Sequence, residues 1–145
     1  PLIGAWSDRV GRRPLYLVGA IGVGVWSFVF FGLVDSGREG LVVLAVVVGL
    51  IFHSLMYAPQ AAFFSELFGT SVRYTGASVG YQLASILAGA LAPIIAVKLL
   101  ADPADPNTTA VAIYVAVASV LTVVAVLCAQ ETVNTSLRHD RVTGR

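Results

Sequence analysis

Four stretches of the chain, 15–33, 41–65, 75–97 and 110–129, run for 19, 25, 23 and 20 residues without a formal charge. An α-helix rises ~1.5 Å per residue and the hydrocarbon core of a bilayer is ~30 Å thick, so each stretch can cross it. Only 12% of the residues are charged and the mean hydropathy is +0.85, whereas a soluble domain carries about 25% charge. These features exclude an ordinary soluble domain and predict an all-α integral membrane protein. Nucleic acid is excluded as a partner: the net charge is +1, and no basic patch interleaved with aromatics is present. The single cysteine, Cys128, lies in the last stretch and has no partner for an intrachain disulfide. No metal-ligand spacing occurs, and no metal or cofactor is expected.

The charges sit between the spans and set their orientation. Arg9, Arg12, Arg13, Arg73, Arg138, Arg141 and Arg145 occupy one set of connections, while only Arg38 and Lys98 occupy the other. Lys and Arg in short loops favour the cytoplasm. The first turn, the loop between spans two and three and the tail 133–145 are therefore expected inside, and the loops 34–40 and 98–109 outside. Residues 1–6 read as the end of a further apolar helix, so a partial transmembrane half is expected over 1–132, continuing a longer chain. Richness in Ala, Val and Gly suggests a GC-rich bacterial source, hence a plasma (inner) membrane location.

Polar residues inside the spans are few and patterned. His53, Tyr57 and Gln60 fall at i, i+4 and i+7 on one helical face. Ser78, Gln82 and Ser85 form a second stripe, with Tyr81 at its edge. Leaving such groups in lipid costs several kcal/mol each, so they face protein or water. Two readings stay open: His53, Tyr57, Gln60, Tyr81 and Gln82 line a substrate cavity, or they hydrogen-bond helix to helix at ~0.6 kcal/mol per contact. An imidazole can relay protons, and a permanently neutral His53 is the alternative. No Asp or Glu lies within the four stretches, so a coupling carboxylate would have to lie elsewhere. Gly76, Gly80, Ala84, Ala88 and Ala92 recur every fourth residue, a ridge on which another helix can pack closely. Pro59 and Pro93 are expected to kink spans two and three.

The second constellation is charged. Asp8, Arg9, Arg12 and Arg13 lie in the first turn, Glu66 and Arg73 flank the next cytoplasmic loop, and Glu131 follows the last span. Opposite charges at neighbouring helix ends can form a conformational latch or a static surface pair worth ~0–1 kcal/mol.

Asp8-Arg9-Val10-Gly11-Arg12-Arg13 resembles the cytoplasmic loop that recurs in each half of major facilitator superfamily transporters. Three further runs, Tyr57-Ala58-Pro59-Gln60, Phe63-Phe64-Ser65-Glu66-Leu67-Phe68 and Val72-Arg73-Tyr74-Thr75-Gly76, lead into Gly80-Tyr81-Gln82. That block is similar to the metabolite:proton symporters, and the likeness extends over about 1–132. Sugar porters share the acid and the arginine of this loop. Where both groups often have Pro-Glu-Thr after the last helix, this chain has Gln130-Glu131-Thr132.

The resemblance implies that the four stretches are helices nine to twelve of a twelve-helix fold. It implies pairing of Arg9 with Glu66, with Asp8 reaching the N-terminal half of the same chain, a partner not contained in this sequence. It further implies proton-coupled import of a small organic acid or zwitterionic osmolyte by alternating access, with the substrate, protons and the lipid bilayer as the other partners. A sugar-porter-like facilitator is the alternative. A membrane-embedded enzyme would need a nucleophile or acid/base cluster, which the sequence lacks, and an assembly subunit would not need two matched polar stripes.

Overall fold

The computed structural model describes residues 2–67, 73–101 and 106–129. Helix α1 covers Leu2–Val10, α2 Arg12–Asp35, α3 Glu39–Leu67, α4 Arg73–Ala84, α5 Leu91–Leu99 and α6 Thr108–Cys128. A π-helical turn, Ser85–Ala90, joins α4 to α5, so these three pieces make one span. Four helical segments are long and apolar enough to cross a membrane: Arg12–Asp35, Glu39–Phe64, Tyr74–Leu99 and Thr108–Cys128.

The turns follow their local chemistry. Gly11 adopts φ 111° between α1 and α2, a conformation that only glycine takes without strain; this accounts for the glycine of the charged motif. Gly37 (φ 65°) makes the turn between α2 and α3. Asn107 caps α6 by accepting a hydrogen bond from the Ala110 backbone N–H at 2.9 Å. Pro14 sits in the first turn of α2, where its missing N–H costs nothing.

Helix α2 lies between α3 and α6. Its glycines bring the backbones together, since a Cβ on Gly19 would stand 2.9 Å from the Phe52 carbonyl oxygen and 3.0 Å from the Met56 nitrogen. A Cβ on Gly24 would stand 2.9 Å from Ser119 Cβ. Two polar contacts fix the register. Trp26 Nε1 donates to the Ala45 carbonyl of α3 at 3.0 Å, and Ser27 Oγ donates to the Ala112 carbonyl of α6 at 3.2 Å. Tyr16, Phe63 and Val126 form the buried core at one end of this layer.

The third span is held only at its ends among the described residues. Helix α4 touches α3 and α5 touches α6, while the middle of the span is exposed. Its small-residue ridge is open, for a Cβ on Gly80 would meet nothing within 4 Å. The two prolines behave differently. Helix α3 continues through the buried Pro59. Ahead of Pro93 the winding changes to π, which rearranges carbonyls that the proline cannot satisfy.

Candidate functional site

Helices α3 and α4 flank an open cavity of about 380 Å³ lined by Tyr57, Gln60, Ala61 and Phe64 on one side and Ala77, Ser78, Tyr81 and Gln82 on the other. Four of the five residues singled out from the two polar stripes thus share one cavity. Among the described residues the lining combines three aromatic rings, two of them phenols, two carboxamides and a serine hydroxyl, with no formal charge. None of these polar side chains makes a hydrogen bond to another described residue. Hydrogen bonding between the two helices is therefore not what occupies them among the described residues. Tyr57 and Gln60 lie 10 and 7 residues from the end of α3 at Leu67, or ~10–15 Å along the helix.

His53 stands apart from this lining. It lies fourteen residues from either end of α3, one turn beyond Tyr57, and its ring stacks on that of Tyr57 with centroids 5.7 Å apart and planes inclined by 23°. Its other neighbours border a smaller cavity of about 250 Å³ that includes Trp26, Phe30 and Phe31. His53 does not line the α3–α4 cavity, of whose α3 lining Tyr57 is the residue nearest to it in sequence.

The charged motif forks. Arg12 Nε donates to both carboxylate oxygens of Glu66, at 2.7 and 2.9 Å, tying α2 to the end of α3. Its Nη1 donates to Ser7 Oγ at 3.3 Å, and that hydroxyl donates to the Gly4 carbonyl at 2.6 Å, so α1 joins the cluster. The next residue, Arg13, reaches the other way and donates from Nη2 to the Leu127 carbonyl of α6. Both guanidinium groups therefore sit at helix C-termini, where the macrodipole favours positive charge. Arg12 is thus a described partner of Glu66, while the pairing of Arg9 with Glu66 implied by motif position falls outside the described side chains. The side chains of Asp8, Arg9 and Arg73, and all of Glu131, lie outside the described residues. The buried Ser7 and the reach of Arg13 to α6 went unnoticed in the sequence, although the small polar Ser7 beside Asp8 was a usable signal. Among the described residues no group of three His, Cys, Asp or Glu could hold a metal ion.

The Major Facilitator Superfamily family model matches residues 1–141. The chain belongs to the major facilitator superfamily. It is a multi-pass membrane protein of a transporter family, not an enzyme. The chain is 37% identical over 138 residues to the inner membrane metabolite transport protein YhjE of Escherichia coli, covering 94% of this chain and 31% of that protein. It is 38% identical over 112 residues to the shikimate transporter of Escherichia coli, covering 76% of this chain and 25% of that protein. Over 138 residues it is 27% identical to the proline/betaine transporter of the same organism, covering 95% of this chain and 27% of that protein. The chain thus spans less than a third of the length of these relatives. No solved structure matches it significantly.

Proposed function

We propose that this major facilitator chain forms helices nine to twelve of a proton-coupled importer for a small organic acid or zwitterionic osmolyte. The observation that carries the reading is the α3–α4 cavity, whose tyrosines, carboxamides and hydroxyl have no hydrogen-bond partner among the described residues. Carboxamides can donate to a carboxylate, and aromatic faces attract ammonium groups. The names of the shikimate and proline/betaine transporters accord with those two substrate chemistries. Transport proceeds by alternating access, with the N-terminal half rocking against this one around a central site.

The same proposal sets the protein in the bacterial inner membrane with its C-terminus in the cytoplasm. Residues 133–145 form the tail there. Asp8, Arg9, Arg12, Arg13, Glu66, Arg73 and Glu131 line the cytoplasmic side. In that cluster the family resemblance gives Asp8 the role of closing the gate against the other half, while Arg12 holds α1 through Ser7.

A sugar-porter-like facilitator is the second reading, favoured by the absence of charge from the lining. Uptake by full-length protein in liposomes separates the two. Radiolabelled shikimate, proline, glycine betaine and glucose are offered with and without an inward proton gradient. Accumulation of one of the first three above equilibrium only with the gradient supports the symporter. Equilibration of glucose regardless of the gradient supports the facilitator, and no uptake of any solute under either condition overturns the transport reading.

A further inference from the structure

We infer, independently of the substrate assignment above, that the groove between α2 and α6 seats a hydrocarbon tail of an anionic phospholipid whose phosphate lies at Arg13. A cavity of about 390 Å³ opens between these two helices, separate from the α3–α4 cavity. Its walls include Ile21, Val25 and Phe28 on α2 and Val120 and Val123 on α6. Small residues make its floor. Gly24 of α2 lies against Ala116 and Ser119 of α6, and a Cβ on Gly24 would stand 2.9 Å from Ser119 Cβ. The backbones are therefore close there, and the larger side chains rise on either side as a trough. Among the described residues the Ser119 hydroxyl is the one polar side-chain group of the lining. Both rims are open, with Val25 65% and Val120 60% exposed.

The trough is in register with the charged motif. Arg13 Nη2 donates to the Leu127 carbonyl, so the guanidinium bridges the same two helices. Gly24 follows Arg13 by eleven residues, about three turns at ~3.6 residues per turn, and so shares its face of α2. On α6, Val123, Val120 and Ala116 precede Leu127 by four, seven and eleven residues, again one helical face. At ~1.5 Å per residue the trough begins ~6 Å from the level of Leu127 and extends to ~17 Å. Half of a hydrocarbon core is ~15 Å. The trough thus follows a single leaflet, on the side of the charged motif, from the water interface to the bilayer midplane.

A lipid tail is the occupant that fits this surface. Between helices in a membrane, association depends on close backbone approach and polar contacts, and here the small residues and the hydroxyl lie on the floor, below rims of large apolar side chains. A flexible tail can fill a trough that a helix ~10 Å across cannot enter. At the foot of the trough the guanidinium matches a phosphate, which arginine holds by charge-assisted hydrogen bonds. Basic sites between membrane helices take anionic head groups in this way. A choline lipid carries the same phosphate beside a compensating cation, so the preference is for a lipid of net negative charge.

Native mass spectrometry of the full-length protein in detergent, with dioleoyl phosphatidylglycerol or dioleoyl phosphatidylcholine added, reads the apparent Kd of each bound lipid. Wild type should bind its first phosphatidylglycerol about fivefold more tightly than its first phosphatidylcholine, the effect of about one basic residue near the surface. Arg13→Gln should lose that preference and Arg13→Lys, which keeps the charge, should retain it. Val120→Trp fills the trough and should weaken both lipids about tenfold, the effect of about two methylene groups left unburied. Val117→Trp, on an exposed part of α6 outside the trough, should match wild type. Dihexanoyl phosphatidylglycerol, with the same head group and short tails, should bind more weakly than the dioleoyl lipid. Equal affinity of wild type for the two dioleoyl lipids, an unchanged preference in Arg13→Gln, or equal binding by Val120→Trp and Val117→Trp would each overturn the proposal. So would wild-type dimers that Val120→Trp abolishes, since a second copy of the chain would then occupy the trough.

Discussion

Removing Arg12 or Glu66 should unfasten α2 from α3 rather than reset the transport cycle. The two side chains are 15% and 28% exposed and meet at 2.7 Å. Their gross attraction is ~4 kcal/mol for charge centres ~4 Å apart at an effective dielectric of ~20. Desolvation and lost side-chain freedom offset much of that. Exposed pairs measure ~0.2–1 kcal/mol, and truncating one partner of a buried pair costs ~3–5 kcal/mol. This half-shielded pair falls between, so Arg12→Ala and Glu66→Ala should each lose ~1–3 kcal/mol. The double variant should lose little more than either, because contacting residues are not additive. Unfolding of the full-length protein in detergent, taken through the double-mutant cycle, reads these values. Ser7, Glu66 and the Leu127 carbonyl all belong to helices packed on α2. Rocking against another half leaves such bonds intact, so cytoplasmic accessibility should stay near wild type. Fully additive losses, or a large accessibility change without loss of stability, would refute the reasoning.

Gly19→Ala places a Cβ within 3.0 Å of two α3 backbone atoms, so the helices must separate; a loss of ~1–3 kcal/mol is expected in thermal unfolding. Gly11→Ala forces a side chain onto φ 111° and should cost ~1–3 kcal/mol in the same assay. In a Cys128→Ser background, a cysteine at position 38 should react with an impermeant thiol reagent from outside, and one at position 73 only from inside; the reverse pattern would invert the topology.

The helices were legible because charge is confined to the connections. Among the described residues, each span extends only two or three residues beyond the uncharged stretch that announces it at its N-terminal end, as at Arg12 for 15–33 and Glu39 for 41–65. Helical spacing also sufficed to put Tyr57 and Gln60 on one face, and Tyr81 and Gln82 opposite them. The same spacing included His53, and it could not show that this ring borders a different cavity, with Trp26, Phe30 and Phe31 of α2. Nor could motif position tell that Arg12 meets Glu66. Gly11 breaks the helix just ahead of Arg12, and the direction of that side chain depends on the φ 111° turn. The glycines that bring α2 against its neighbours stayed hidden behind the more regular ridge of span three. A regular repeat shows that close packing is possible, while the partner that uses it lies in the tertiary structure. The π turn at Ser85–Ala90 has no pattern of its own beyond the proline that follows it.

The central claim is that the α3–α4 cavity receives substrate. Its most direct test is uptake of shikimate, proline and glycine betaine by full-length protein in liposomes, comparing Gln82→Ala with Val124→Ala. Gln82 lines the cavity, whereas Val124 is 51% exposed on α6, away from it. Losing one carboxamide contact worth ~1–3 kcal/mol should weaken the apparent affinity of Gln82→Ala about 5- to 150-fold, with Val124→Ala close to wild type. Equal uptake and equal apparent affinity for the two variants and wild type would contradict the assignment of this cavity.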